Sequence, residues 1–197
     1  MSKVGFFGLL KQIFANKQLA PLPATKAEEL YHHILQASRA VPLYRDYGVE
    51  DSIDGRFDAL CLMQALVMRR LSRQSEPLAH LSQELFDAMF ADMDLTLREM
   101  GVGDMGVGKR VKFMSEAYMG RLSAYDKALK AYEAGEGAEA LEQALHRNLY
   151  REGAVAGDAS LMAQQVIVIA QRLTACDDAS FLDAALPDML LRCDDIS

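Results

Sequence analysis

Apolar residues at Val107, Val111, Met114, Tyr118, Leu122, Tyr125, Leu129 and Tyr132 follow one another in alternating steps of four and three. That spacing lines one side of an α-helix and cannot line a strand, whose faces repeat every second residue. It commits everything from Val107 to Tyr132 to one long helix. Upstream, Leu85, Phe86, Met89, Phe90, Met93, Leu97 and Met100 repeat at helical spacing as well, after Pro77, which suits a first turn. Two long helices thus meet across Gly101-Val102-Gly103-Asp104-Met105-Gly106-Val107-Gly108-Lys109-Arg110. Any fold for this chain has to accommodate that pair.

The joint imitates two nucleotide-binding motifs. Gly101, Gly103 and Gly106 satisfy G-x-G-x-x-G, and Gly103 to Lys109 satisfies G-x-x-x-x-G-K, failing only at the following Ser/Thr position. Both motifs depend on a strand that delivers the glycines to a helix N-terminus facing the phosphates. Here a helix precedes them, so a helix-glycine-helix joint is expected, with Gly101 at the position just past the first helix.

The remaining pattern is helical too. Thr25 with Glu28 forms a capping box that opens a helix to about Arg39. Pro42 interrupts it, Tyr44 to Gly48 reads as a turn or short helical piece, and Asp54-Gly55 is the expected cap of a helix from Arg56 to Ser72. From Phe57 to Met68 that helix is apolar nearly all round, which predicts a central, buried element. Breaks at Ala134 to Gly137 and Gly153 to Gly157 separate a helix over 138–150 from a last long helix capped by Asp158. Val166 to Ile169 is strand-like in composition, but its flanks are helical and no second segment exists to pair with it. The expectation is an all-α fold, one domain of about six to eight helices over 24–175, with an amphipathic segment over 1–20 and an acidic tail over 176–197.

Charge and cysteine usage exclude several classes. With 28 acidic against 21 basic side chains the net charge is -7, the wrong sign for broad binding to nucleic acid phosphate, so DNA is not an expected partner. Cys61, Cys176 and Cys193 are odd in number and lack C-x-x-C spacing, which fits a reducing cytoplasm rather than a disulfide framework or zinc site. The N-terminal run Val4 to Leu10 is too short to span a bilayer and no cleavage site follows, so a soluble protein is expected. Residues 3–15 form a candidate amphipathic helix, with Phe6, Phe7, Leu10, Ile13 and Phe14 on one side and Lys3 and Lys11 flanking. It either packs on the domain or touches an anionic membrane surface.

No reaction centre assembles from the residue types. Glu29 and His32 have the E-x-x-H spacing of a diiron ligand pair, but such a bundle needs the motif twice, and neither Glu76/His80 nor Glu142/His146 supplies it. There is no G-x-S-x-G elbow, and Cys61 sits in an apolar helix as a core residue. No metal, cofactor or catalytic residue is expected, although an enzyme with a concealed helical pocket stays open. Tyr118, Tyr125 and Tyr132 share the stripe of the long helix, either as core residues with hydroxyls at a wet rim or as an aromatic face for a partner. Lys109, Arg110, Lys112, Arg121, Lys127 and Lys130 make the outer face of that helix locally basic. Met89, Met93 and Met100 suit either core gaps or an adaptable surface.

Gly55-Arg56-Phe57-Asp58, the run Asp92 to Lys112, Glu116-Ala117-Tyr118, Gly120-Arg121-Leu122, Ala124-Tyr125-Asp126 and Ala144 to Tyr150 together resemble the ubiquinol-cytochrome c chaperone family over roughly residues 40–150. The chain is similar to its shorter, bacterial members. The resemblance implies a non-catalytic role in assembling the cytochrome bc1 complex by binding newly made cytochrome b or an early assembly intermediate, with a small helical co-chaperone as a further partner. It implies a location in the cytoplasm or on the cytoplasmic face of the inner membrane. The residues expected to meet a partner are Asp94, Arg98, Glu99, Gly101, Gly103, Asp104, Gly106, Gly108, Lys109 and Arg110 at the joint, with Tyr118, Arg121 and Tyr125 on the helix beyond. An alternative is an RNA- or ribosome-associated regulator of cytochrome b synthesis acting through the basic helix 107–132. The joint itself has two readings: a tight reversal that requires glycine, or a recognition surface.

Overall fold

The computed structural model describes residues 25–72, 78–151 and 159–183; the candidate N-terminal helix over 3–15 lies outside them. Those residues form helices α1 (Lys26–Ala37), α2 (Val41–Arg45), α3 (Ile53–Leu71), α4 (Leu78–Glu99), α5 (Asp104–Glu133), α6 (Glu139–Asn148), α7 (Ala159–Ala175) and α8 (Asp178–Leu182). No strand occurs among them. Val166, Ile167 and Ile169 are buried residues of α7, so the strand-like run is one side of a core helix.

Each start has a local cause. The Thr25 hydroxyl accepts from the Glu28 amide while the Glu28 carboxylate accepts from the Thr25 amide, the expected capping box of α1. Pro42 does not merely end α1. It occupies the first turn of α2, where its missing N–H has no helical partner to lose. α3 begins earlier than its sequence suggests: Ser52, rather than Asp54, is its N-cap and accepts from the Gly55 amide. Asp54 is thereby free for a different task. α5 likewise starts at Asp104, one turn before the apolar stripe.

α3 is the axis of the molecule. Every side chain from Phe57 to Leu71 is buried, and α1, α4, α5 and α7 pack around it. Burial on all sides is what an all-round apolar helix requires. The core continues past residue 175: Cys176 and Phe181 are buried, and the Arg70 guanidinium lies 4.8 Å from the Phe181 ring centre. Arg70 also donates to the carbonyls of Leu173 and Cys176 at 2.9 Å and to Asp178 at 2.8 Å, tying the end of α7 and the start of α8 to α3. Its neighbour Arg69 reaches the other way, to Asp126 and Glu133 of α5. None of the described helices is long and apolar enough to cross a membrane.

Candidate functional site: the end of the α4–α5 hairpin

α4 ends in a Schellman turn. The Gly101 amide donates to the Arg98 carbonyl at 2.8 Å and the Val102 amide to the Leu97 carbonyl at 3.2 Å, with Gly101 at φ 76°. A side chain at that angle is strained, so this glycine is required by the turn. Gly103 then caps α5, its carbonyl accepting from the amides of Gly106 and Val107. Arg98 closes the joint by bridging Asp94 on its own helix and Asp104 on the next. Of the two residues expected to tie the ends, Arg98 does so. Glu99 is exposed and makes no ion pair among the described residues.

The other glycines are not required in that way. A methyl group added at Gly103 or Gly108 would meet nothing within 4 Å. Gly108 nevertheless lies inside α5, where glycine costs roughly 0.5–1 kcal/mol relative to alanine. Nothing among the described residues demands that cost. At Gly106, which lines a hollow at this end, an added Cβ would lie 2.9 Å from Val102 Cγ1 and 3.8 Å from the Arg110 guanidinium, so a side chain there would displace Val102. The hollow holds about 640 Å³, opens broadly to solvent, and is lined by residues 101–106 and Arg110.

Its rim is apolar as well as charged. Met105 is 85% exposed, and Leu95, on the last turns of α4, is 52% exposed. Single exposed apolar residues are ordinary, but Met105 stands out by lining the hollow itself. Pattern reading missed both because they lie off the buried stripes, and that position was itself the available signal.

Of the residues expected to meet a partner, Asp94, Arg98, Glu99, Gly101, Gly103, Asp104, Gly106, Gly108, Lys109 and Arg110 gather at this end, all wholly or partly exposed. Tyr118, Arg121 and Tyr125 do not join them. Tyr118 and Tyr125 are 0% and 1% exposed. Their hydroxyls are not at a wet rim: both are buried, without a hydrogen-bond partner among the described residues. Burial drives both phenols well above the ordinary tyrosine range, since an ionised oxygen there would lose its water. Tyr118 packs edge-on against Phe90, at 6.1 Å between ring centres, and so joins α5 to α4.

Arg121 is not part of a basic outer face. It turns inward and donates to Asp58 Oδ1 at 2.7 Å, while Arg151 donates to Asp58 Oδ2 at 2.7 Å and to Asp54 Oδ2 at 2.8 Å. Asp58 has no exposed surface. Burial raises its carboxyl's pKa, against the downward pull of the two guanidiniums. Gly55, one helical turn earlier, sits so close to the Glu50 carbonyl that an added Cβ would be 2.0 Å from its oxygen. These are packing and anchoring features: they lock α3, α5 and the segment after α6 and fix where the hairpin end projects. No group of three or more His, Cys, Asp or Glu side chains placed to hold a metal occurs among the described residues. His32 pairs with Gln36 at 3.0 Å, and Glu29 with Lys26 at 3.1 Å.

Comparison with known proteins agrees with this architecture. Residues 45–187 match the model of the family described as ubiquinol-cytochrome C chaperone, a longer span than the motifs alone suggest. A search of curated proteins returned no match. Among solved structures, the crystal structure of the Cbp3 homolog from Brucella abortus is similar at 31% identity, covering 81% of this chain and 86% of that one, with a TM-score of 0.69. A helical fold shared at that identity, together with a family match over most of the chain, places this protein in the ubiquinol-cytochrome c chaperone family.

Proposed function

We propose that this chain is a non-catalytic chaperone that binds newly made cytochrome b and promotes assembly of the ubiquinol-cytochrome c reductase complex. Family membership supports the assembly role. The observation that carries the binding site is the hairpin end, where Gly103 and Gly108 answer to no contact among the described residues and Met105 stands in solvent. Binding there covers apolar surface on both partners. The regulatory alternative, an RNA contact through the basic helix, is weakened by Arg121, whose charge is spent on Asp58 inside the molecule. Contact with an anionic membrane remains part of the proposal through residues 3–15 alone, and deleting residues 1–20 tests it by membrane co-sedimentation.

The test of the client is a pull-down with the tagged chain from cells making a bc1 complex. Cytochrome b is expected as the dominant partner, and recovery weakens when Arg98 and Lys109 are changed to alanine. Dominant recovery of ribosomal RNA that disappears steeply as salt rises would favour the regulatory alternative instead.

A further inference from the structure

Residues 149–151 leave the end of α6 and cross to the start of α3. The Tyr150 hydroxyl donates to the Tyr47 carbonyl at 2.7 Å. Arg151 donates to Asp58 Oδ2 at 2.7 Å and to Asp54 Oδ2 at 2.8 Å. Leu149 and Tyr150 are buried, but the fastening at Arg151 faces outward: its side chain is 39% exposed, against 8% for Asp54 and 0% for Asp58. Arg151 also has φ 53°, the one non-glycine residue with positive φ among those described. Glycine or asparagine is the usual occupant of the left-handed region, so arginine stands there for the reach of its side chain. Strained backbone of this kind persists only where the surroundings hold it, and it gathers at clamps and switches. Buried ion pairs likewise add little stability over apolar packing of the same volume and serve best to fix one arrangement against another.

We propose that residues 149–151 are a latched strap, which opens as a unit while the helices around α3 stay packed. Closed, Asp54 and Asp58 hold the guanidinium, and the guanidinium holds the strained backbone. Opening breaks those two ion pairs and the bond from Tyr150 to Tyr47, while the guanidinium passes wholly into water and the backbone at residue 151 relaxes. Each acid left behind keeps a stabilising neighbour. Asp58 retains Arg121 of α5 at 2.7 Å, so α5 stays tied to α3. Asp54, whose other oxygen has no partner among the described residues, lies in the first turn of α3, where the helix dipole favours negative charge. One carboxylate thus serves both a permanent tie and a releasable one, which lets the strap move without unpacking the core.

Native-state hydrogen exchange on the full chain, followed over low urea concentrations, reads the opening. The Leu149 and Tyr150 amides, both bonded to the Leu145 carbonyl, report the strap, and amides within α3 report the core. In the wild-type chain the strap amides should exchange through an opening that low urea hardly affects, whereas the α3 amides follow global unfolding. Arg151→Ala should lower the protection factors of the strap by more than those of α3. Arg151→Gly lacks the guanidinium equally but accepts the backbone angle, so its strap should be protected about tenfold better than that of Arg151→Ala. Asp54→Ala tests the same latch should Arg151→Ala fail to fold: it removes one ion pair, leaves Asp58 with both arginines, and should lower protection of the strap more than that of α3. A helix end that merely frays would show strap protection indifferent to these substitutions, which overturns the inference. So does a strap that exchanges only with global unfolding, or an identical response to Arg151→Ala and Arg151→Gly.

Discussion

Asp58 shows what a single residue does here. It is wholly buried and accepts from two arginines that lie 63 and 93 residues away in sequence. Removing one member of such a group strands the others' charge in the interior, at a cost of roughly 3–5 kcal/mol. Asp58→Asn should lower stability by that order in urea unfolding, and Arg121→Met should destabilise as well. Tyr118 and Tyr125 predict the opposite behaviour. Their hydroxyls are buried without partners among the described residues, so Tyr118→Phe and Tyr125→Phe should leave stability unchanged or raise it, by about 1 kcal/mol at most, as read from thermal unfolding. The Gly-Arg-Phe-Asp run is plain in the sequence, yet nothing local says that Asp58 faces inward. Its partners arrive through tertiary packing, and Arg151 reaches it from a backbone at φ 53°, which no periodicity reveals. For the same reason Arg121 reads as a surface charge until its partner is seen.

Helices were the most legible level, because period 3.6 is a property of side-chain placement that a sequence carries directly. The capping box at Thr25, the buried all-round helix and the turn glycine at Gly101 all appear in the structure as expected. Starts were displaced by a turn where two residues could cap. At α3 Ser52 is the cap while Asp54 accepts from Arg151, and the start of α5 at Asp104 is unmarked in the sequence because its glycine-rich first turn carries no apolar pattern. Gly101→Ala should cost roughly 1–2 kcal/mol, the left-handed penalty, measurable in thermal unfolding. α8 offers a pH test. Asp177 caps it, and the Ser180 amide and hydroxyl hold the Asp177 carboxyl below the usual aspartate range. With the folded value depressed, the cap's stabilisation is complete above the unfolded value and is lost as pH falls through the folded one. The protection factor of the Ser180 amide, its exchange rate relative to the intrinsic rate at the same pH, should therefore fall on acidification through the lower carboxylate range, and Asp177→Ala should abolish that dependence.

On the scale of the molecule, buried charges tie α5, α7 and α8 to the central helix α3, and the proposed partner surface lies at the end of the α4–α5 hairpin. Arg69, Arg70 and Asp58 anchor the helices around α3, while the joint exposes Lys109 and carries an open hollow lined by Met105 and the partly exposed Arg110. Sequence reading located this joint through its glycine excess, since a reversal needs one such residue and the run carries four. It could not separate the required Gly101 from the unconstrained Gly103 and Gly108, a distinction that rests on backbone angle, φ being 76° at Gly101 and not positive at the other two. Replacing both Arg98 and Lys109 by alanine removes a free ammonium and the solvent-exposed bridge of Arg98 to Asp94 and Asp104, and exposed bridges contribute little, so stability should change by about 1 kcal/mol at most, whereas recovery of cytochrome b should fall. The most direct test of the assembly role is the yield of haem-loaded cytochrome b and intact bc1 complex, read from difference spectra, in a bacterium deprived of its own ubiquinol-cytochrome c chaperone and supplied with this chain. Restoration by the wild-type chain, with markedly weaker restoration by the Arg98 and Lys109 double variant, is the predicted result. A bc1 yield that stays at the depleted level when the folded wild-type chain is abundant would contradict it.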